Sequence, residues 1–319
     1  TTGVFEATAD FDPGTGTAEL ESAGSSEDIF VSKLTAPTPT ADYTINTTTG
    51  GVLTITDVAG NGETLTITEQ TSGNITFDDF GAGSTYSLNG GAATTFPVDV
   101  PLTGITSIVV NAGAGNDEIK VGAFAAALPS LSINGDAGND AITFEGDITF
   151  ANNANLDLEL QSDNDSPGTD YVTFASGANV ILSGTGTATV KVSRNVSFAD
   201  GASLQTQNGN LSIEANQQTT PTTGSFFGLD IAGGTIQVTG TGNLVVKGKG
   251  GDDAGGIQKG IFMITNGSSA VISGGTSGTT TVEGSNGASS GDSNIGVMVS
   301  GAGSKITSLG GNVSVTGTG

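Results

Sequence analysis

One motif recurs three times between Ile108 and Phe174, and it constrains the fold more than any other feature of the sequence. Each copy contains an apolar strand, a turn rich in Gly, Asn and Asp, an aspartate and a second strand. The aspartates are Asp117, Asp140 and Asp170, and 23 residues separate the first two. One copy cannot bury its apolar face alone, so such copies stack and share a core. The motif therefore predicts a β-solenoid.

The stacked aspartates also predict a metal site. If the copies are in register, their carboxylates lie above one another at roughly 4.8 Å, the spacing of neighbouring strands. Ca²⁺ takes six to eight oxygen ligands and would neutralise such a stack. The predicted Ca²⁺ ligands are Asp117, Asp140, Asp170, Asn116, Asn139 and Asp136. The alternative is that these residues only form tight turns, because Asn and Asp tolerate left-handed backbone.

The turn at Gly113–Ile119 reads Gly-x-Gly-Asn-Asp-x-Ile, which resembles the nonapeptide repeats of the RTX family. Those repeats bind Ca²⁺ in a parallel β-roll. RTX repeats recur every nine residues, whereas the spacing here is 23 or 30 residues, and the longer interval predicts an insertion near Asp163–Pro167. The resemblance therefore implies similar turn chemistry and not the β-roll. It applies to Gly113, Gly115, Asn116, Asp117, Gly138, Asn139 and Asp140.

A second repeat of about 35 residues occupies the last third of the chain. It aligns Val246 with Val282, Met263 with Met298, and Val271 with Ile306. Three short strands per repeat, joined by Gly-rich corners, predict a three-faced, right-handed parallel β-helix.

The expected fold is all-β, an elongated right-handed parallel β-helix with a small N-terminal β extension. The predicted domains are an N-terminal β hairpin or extension over 1–40, a small β region or irregular first coils over 41–100, and the parallel β-helix over 101–319. In the N-terminal segment, Phe11–Leu20 and Ser25–Leu34 resemble a fragment of the bacterial SBBP-type β-propeller repeat. The sequences of Thr103–Phe144 and Gly234–Gly319 resemble β-strand-repeat regions of giant secreted bacterial proteins. That resemblance implies a surface or adhesin-like role.

Composition narrows the possible functions. Acidic residues outnumber basic ones by 32 to 8, giving a net charge of −24, which argues against binding to nucleic acid or to an anionic membrane. The chain has no His and no Cys, which excludes a Ser-His-Asp triad, a thiolate nucleophile and a His-based metal site. No apolar run is long enough to span a bilayer. We therefore expect no enzymatic activity and no membrane insertion.

The sequence predicts an extracellular structural protein, a subunit of a fibre, sheath, surface layer or adhesin stalk. We expect it to be secreted, to assemble end to end with further copies of itself, and to be stabilised by Ca²⁺. Cell-surface glycans are the other expected partner. The alternative function is a β-helix that binds or degrades polysaccharide, and a groove with aromatic residues beside clustered aspartates would favour it.

Overall fold

The computed structural model describes residues 40–48, 50–79, 83–161, 168–254, 257–287 and 294–319, together with the backbone of four short strands within 1–39. The chain divides into two compact units, Thr1–Thr40 and Ala41–Gly319. The prediction of an all-β protein is confirmed, because the described residues form strands and turns without any helix. Accordingly, the described chain contains no helix long and apolar enough to cross a membrane.

The first unit contains two antiparallel strand pairs. Its strands are β1 (Thr2–Phe5), β2 (Thr8–Asp10), β3 (Glu19–Glu21) and β4 (Asp28–Val31). β1 pairs with β4 and β2 pairs with β3. Much of the segment that resembles the SBBP repeat lies outside the described residues, as does the predicted insertion at Asp163–Pro167.

The second unit begins with seven strands, several of which pair antiparallel. They are β5 (Tyr43–Thr47), β6 (Val52–Asp57), β7 (Thr64–Thr68), β8 (Asn74–Asp79), β9 (Thr85–Leu88), β10 (Thr94–Thr95) and β11 (Val98–Pro101). β5 runs antiparallel to β6, and β8 runs antiparallel to both β7 and β11. Of these strands, β5 and β8 pair with the edges of β6 and β7 that face away from the rest of the unit.

The remaining strands of the second unit pair in parallel. They are β12 (Ser107–Asn111), β13 (Glu118–Val121), β14 (Ser130–Asn134), β15 (Ala141–Phe144), β16 (Ile148–Thr149), β17 (Leu156–Leu160), β18 (Tyr171–Phe174), β19 (Asn179–Leu182), β20 (Ala188–Val192), β21 (Asn195–Phe198), β22 (Ser203–Thr206), β23 (Leu211–Ala215), β24 (Phe227–Ala232), β25 (Thr235–Val238), β26 (Leu244–Lys249), β27 (Lys259–Ile264), β28 (Val271–Gly274), β29 (Thr279–Ser285), β30 (Ile295–Ser300), β31 (Lys305–Ser308) and β32 (Asn312–Thr318).

Among the described residues, the strands of the second unit form three sheets. Sheet A has the order β10-β9-β5-β6-β12-β14-β17-β20-β23-β26-β29-β32. Sheet B has the order β11-β8-β7-β13-β15-β18-β21-β24-β27-β30, and sheet C the order β16-β19-β22-β25-β28-β31. From β14 onward the chain visits A, B and C in turn. We call three consecutive strands, one from each of sheets A, B and C, a layer. The two-stranded sets β6–β7 and β12–β13 are also called layers.

Alternation of apolar and polar residues along each strand builds the core. In β12, for example, Ile108 and Val110 are buried while the residues between them are partly exposed. Because parallel strands pair in register, the buried residues of successive layers form continuous columns. Burying each such side chain contributes roughly 1.5–3 kcal/mol, which explains how small aliphatic residues suffice for this core.

The register also aligns identical side chains. Phe144, Phe174 and Phe198 occupy equivalent positions of β15, β18 and β21, and their rings stack with centroids 4.9 and 4.3 Å apart. On the outer face of sheet A, opposite charges pair across neighbouring strands, as in Lys191 with Glu159 at 3.4 Å. Both features disfavour a register shift, because a shift would separate the partners.

The alignment of the last third was partly wrong. Val246 and Val282 are register partners, as predicted. Met263, however, lies opposite Val299 and not Met298, and Val271 lies opposite Lys305 and not Ile306. The predicted alignment was one residue out, and in a strand such a shift exchanges the inner and outer faces. Gly-rich corners of variable length allowed that error.

Candidate metal centre

The aspartates of the recurring motif form a ladder of hydrogen bonds where sheet A turns into sheet B. They directly precede β13, β15 and β18, and the register places Asp117, Asp140 and Asp170 at equivalent positions. Their predicted stacking is therefore confirmed. The Asp117 N–H donates to Asp140 Oδ1 at 2.9 Å, and the Asp140 N–H donates to Asp170 Oδ1 at 2.6 Å. Each of these carboxylates thus binds the backbone of the preceding layer.

The two ends of the ladder differ in charge. At one end, the Ser193 hydroxyl donates to Asp170 Oδ2 at 2.6 Å, so a neutral group satisfies that carboxylate. At the other end, the Glu63 N–H donates to Asp117 Oδ1 at 2.9 Å. Glu63 occupies the position equivalent to Asp117 in the preceding layer. The ladder therefore ends against another carboxylate, and negative charge accumulates there.

The other predicted ligands form hydrogen bonds between neighbouring layers. The Asn139 N–H donates to Asn116 Oδ1 at 2.9 Å, and the Thr169 N–H donates to Asn139 Oδ1 at 3.0 Å. Asp136 has a left-handed backbone, with φ of 63°, and its Oδ2 accepts a bond from the Gly113 N–H at 3.3 Å. These bonds join equivalent turns of neighbouring layers, 23 or 30 residues apart. Of the three residues, Asp136 alone has the left-handed backbone that Asn and Asp tolerate in tight turns.

Asp117 meets two carboxylates that the sequence analysis did not identify. Asp57 ends β6, and Glu63 lies directly before β7. One oxygen from each of Asp57, Glu63 and Asp117 lies within 4.8 Å of the other two. Oxygens bound to one Ca²⁺ at 2.3–2.6 Å are at most about 5 Å apart, so this spacing lets all three share one ion. Within the described residues, Asp136, Asp140 and Asp170 join no such group.

Several oxygens at this end of the ladder are buried without a partner. Asp57 and Asp117 are each only 5% exposed. Asp117 Oδ2 and Glu63 Oε2 accept no hydrogen bond, and neither do the two oxygens of Asp79 on the neighbouring strand β8. The ion pairs found in the described chain involve none of these residues. A buried carboxylate in this situation requires either a proton or a cation.

The electrostatics of the cluster point the same way. Burial is the main cause that raises the pKa of Asp117 from 3.8 to about 7, with further contributions from Asp140, Glu63 and Asp57. Burial followed by Asp57 raises the pKa of Glu63 from 4.5 to about 7. Burial also raises the pKa of Asp57, although the N–H groups of Ala59 and Gly60 oppose this by donating to its carboxylate. At neutral pH, Glu63 and Asp117 are therefore both close to the midpoint of their titration.

Tyr43 covers the cluster from β5. Its side chain is 3% exposed, it is the register partner of Asp57, and the Phe96 ring meets it edge-on at 5.3 Å. Burial raises the pKa of the Tyr43 phenol, and Glu63 is the next largest cause. Tyr43, Glu63 and Asp117 line a cavity of about 10 Å³, which is close to the volume of a single water molecule or bare ion.

The donor set fits a hard divalent cation. Asp57, Glu63 and Asp117 would all hold it through oxygen. The chain has no His and no Cys that would favour a softer metal. Bound Ca²⁺ would supply charge neutralisation and cross-link the first two layers. The site therefore contains one of the six predicted ligands and two residues that were missed.

Both missed residues carried a signal in the sequence. Leu53, Ile55 and Asp57 alternate along one strand, which places Asp57 on the inner face. Gly62-Glu63-Thr64-Leu65 has the same order of turn, acid and strand as Asn116-Asp117-Glu118-Ile119. Aligning these two segments would have identified Glu63 as the equivalent of Asp117.

Comparisons with family models, curated proteins and solved structures found no match for this chain. The class to which it belongs is therefore defined by its own architecture, an all-β protein with many-stranded parallel sheets. A buried acidic cluster lies near the antiparallel end of these sheets.

Proposed function

We propose that the second unit is a structural scaffold, an elongated right-handed β-solenoid of a secreted protein that extends a fibre, sheath, surface layer or adhesin stalk. The observation that carries the proposal is the continuous in-register pairing of the three sheets. Hydrogen bonds then run along the direction in which layers stack, so a tensile load would be shared by many bonds. The sequence resemblance to secreted surface proteins supports the location.

The order of the strands supports closure into a solenoid. From β14 to β32 the chain moves through sheets A, B and C in constant rotation, and each strand pairs in parallel with its equivalent one layer on. Parallel crossover connections are right-handed in about 98% of cases, because of strand twist. The proposed hand follows from this preference.

Assembly through the last layer is part of the proposal. Val313 and Val315 on β32 are register partners of the buried Thr280 and Val282, yet they are 43% and 48% exposed. Among the described residues, these two core columns have no strand beyond β32, which pairs on one side only. An uncovered edge of this kind pairs readily with another strand. We propose that a second copy of the chain covers it.

Ca²⁺ would stabilise the opposite end. Bound to Asp57, Glu63 and Asp117, it would join β6 and β7 to the layer that follows, and stabilise the folded state by mass action. The proposed metal therefore acts on the scaffold itself and takes part in no reaction.

Sedimentation velocity over a range of protein concentrations tests the assembly. We expect reversible association with a frictional ratio typical of elongated particles. Val315→Lys places a charge in the uncovered core column and should shift the protein towards the monomer. Ser314→Lys is the matched control, because Ser314 faces outward beside it, paired with the partly exposed Thr281.

Two results would contradict the proposal. A monomer that persists at millimolar concentration would exclude assembly through β32. A compact frictional ratio for that monomer would exclude the elongated scaffold as well.

A further inference from the structure

A groove crosses the outer face of sheet B at some distance along the chain from the acidic cluster. Its volume is about 430 Å³, within the range of pockets that bind small ligands. Three adjacent strands contribute outward-facing side chains, and two residues that precede strands complete it. The lining residues are Tyr171, Thr173, Arg194, Asn195, Ser197, Phe226, Phe227 and Asp230.

The groove contains the chain's single arginine, whose side chain makes no hydrogen bond to the part of the chain that the structure describes. The Arg194 guanidinium lies 5.2 Å from the centre of the Phe226 ring, and it takes part in none of the ion pairs found among the described residues. The stacking leaves its N–H groups available to a ligand. An arginine fork matches the two oxygens of a carboxylate and binds them with two parallel hydrogen bonds.

A buried acceptor lies on the same surface. Asp230 Oδ1 is buried and accepts no hydrogen bond. Burial raises the pKa of this carboxyl, and Lys259 partly opposes the change. The Lys259 ammonium packs over the rings of Phe227 and Phe262, at 4.4 and 4.6 Å from their centres. With this oxygen shielded from solvent, Asp230 forms part of the groove wall and its Oδ1 is out of reach of a ligand.

Aromatic faces complete the surface. Tyr171 on β18 is 40% exposed. Phe226 and Phe227, at the start of β24 two strands away, are partly exposed. The apolar C–H faces of a sugar ring pack well on such rings, while its hydroxyls need donors and acceptors placed between them. Thr173 and Ser197, whose hydroxyls lie 3.1 Å apart, provide both.

We propose that this groove binds a saccharide chain that carries carboxylate groups. Arg194 would bind a sugar carboxylate, the hydroxyls of Thr173 and Ser197 would bond to a sugar hydroxyl, and Tyr171 and Phe226 would pack against sugar rings. The chain carries 32 acidic residues against 8 basic ones, so a cation without an ion-pair partner on this surface favours an acidic saccharide over general adhesion to anions. The inference does not depend on assembly through β32.

Isothermal titration calorimetry in EDTA tests the proposal without interference from metal. The probes are β-1,4-tetramannuronate and β-1,4-mannotetraose, which share a backbone and differ only in the carboxylates. We expect the full chain to bind the acidic probe and to bind the neutral probe at least ten-fold more weakly. Arg194→Gln should weaken binding of the acidic probe about ten-fold or more, because charge-assisted hydrogen bonds are lost.

Lys191→Gln is the matched control, since it removes the same charge three residues away, from the outer face of sheet A, where Lys191 pairs with Glu159. Its binding should equal that of the unaltered chain. Tyr171→Ala, at an exposed position where folding is preserved, should weaken both probes. Three results would overturn the proposal: no binding of tetramannuronate, equal binding of the two probes, or equal losses for Arg194→Gln and Lys191→Gln.

Discussion

Asp117→Asn tests the candidate metal centre, because it removes one charge and changes the shape of the side chain very little. In metal-free protein above pH 7, the Asp117 carboxylate must ionise although burial opposes it. Its pKa rises from 3.8 to about 7 on folding, and each pKa unit corresponds to 1.36 kcal/mol. Ionisation of Asp117 thus lowers the free energy of unfolding by about 4 kcal/mol at pH 8.

The amide keeps an oxygen that can accept the bond from the Glu63 N–H. The substitution should therefore stabilise the metal-free protein by up to that amount. At about 2–4 °C per kcal/mol for a chain of this size, the melting temperature in EDTA should rise by roughly 10 °C. Ca²⁺ at 100 times its Kd should stabilise the unaltered chain by about 2.7 kcal/mol and the variant hardly at all.

The assay is a thermal melt followed by circular dichroism at pH 8, in EDTA and in Ca²⁺. Asp140→Asn is the matched control, because Asp140 occupies the equivalent position one layer on and lies outside the cluster of three carboxylates. It should retain the Ca²⁺ response. The reasoning is refuted if Asp117→Asn lowers the melting temperature in EDTA, or if Ca²⁺ stabilises that variant as much as the unaltered chain.

Two further predictions follow from the same contacts. The metal-free chain should lose stability as the pH rises from 5 to 8. The raised pKa values of Glu63 and Asp117 mean that the folded state binds more protons than the unfolded state in this range. Urea denaturation in EDTA at several pH values measures this, and a stability that rises with pH would contradict it. Phe174→Ala should cost about 3–5 kcal/mol, because the ring lies between those of Phe144 and Phe198; the same denaturation assay checks it, and a loss below 1 kcal/mol would show that the stack contributes little.

The sequence predicted the middle of the second unit best. Asp117, Asp140 and Asp170 align in the structure as they do in the sequence, because each fixes the same junction between a turn and an inward-facing strand. The alternation of buried and exposed residues then determines the register of the strands that follow. An acidic residue in a turn is less frequent than glycine, since the chain has 32 Asp and Glu residues against 52 Gly, so it marks a position in the repeat more specifically.

The last third was harder to read for the opposite reason. Its corners consist mainly of Gly, Ser and Thr. An alignment shifted by one residue therefore matches almost as many residues as the correct alignment. Met263 and Met298 share a side chain but lie on opposite faces of sheet B. Aligning identical residues was misleading there. Aligning the inner-face residues, Ile261 with Val297 and Met263 with Val299, gives the observed pairing.

The candidate metal centre was only partly predictable, because its properties arise from an end of the ladder. Within the ladder, each Asp carboxylate has a backbone N–H from the preceding layer as a partner, and Asp170 has the Ser193 hydroxyl as well. At the first layer, Glu63 replaces the aspartate, and Asp57 stands where the next two layers have Ala112 and Gly135. A repeat predicts what its copies share, and this site depends on the layer where the copies differ.

Along the second unit, the residues that stabilise the fold differ from those proposed to bind ligands. The column of Phe144, Phe174 and Phe198, which continues as aliphatic residues on both sides, gives no layer a chemistry of its own. Each of the two proposed sites contains a residue that interrupts its column: Asp57 on the inner face, and Arg194, which follows Asp140 and Asp170 in the same register column. A repeat scaffold can therefore acquire a binding site by exchanging one residue in one layer, since the neighbouring layers preserve the backbone. Substitutions at such interruptions should change ligand binding more than stability, and substitutions within the columns should do the reverse.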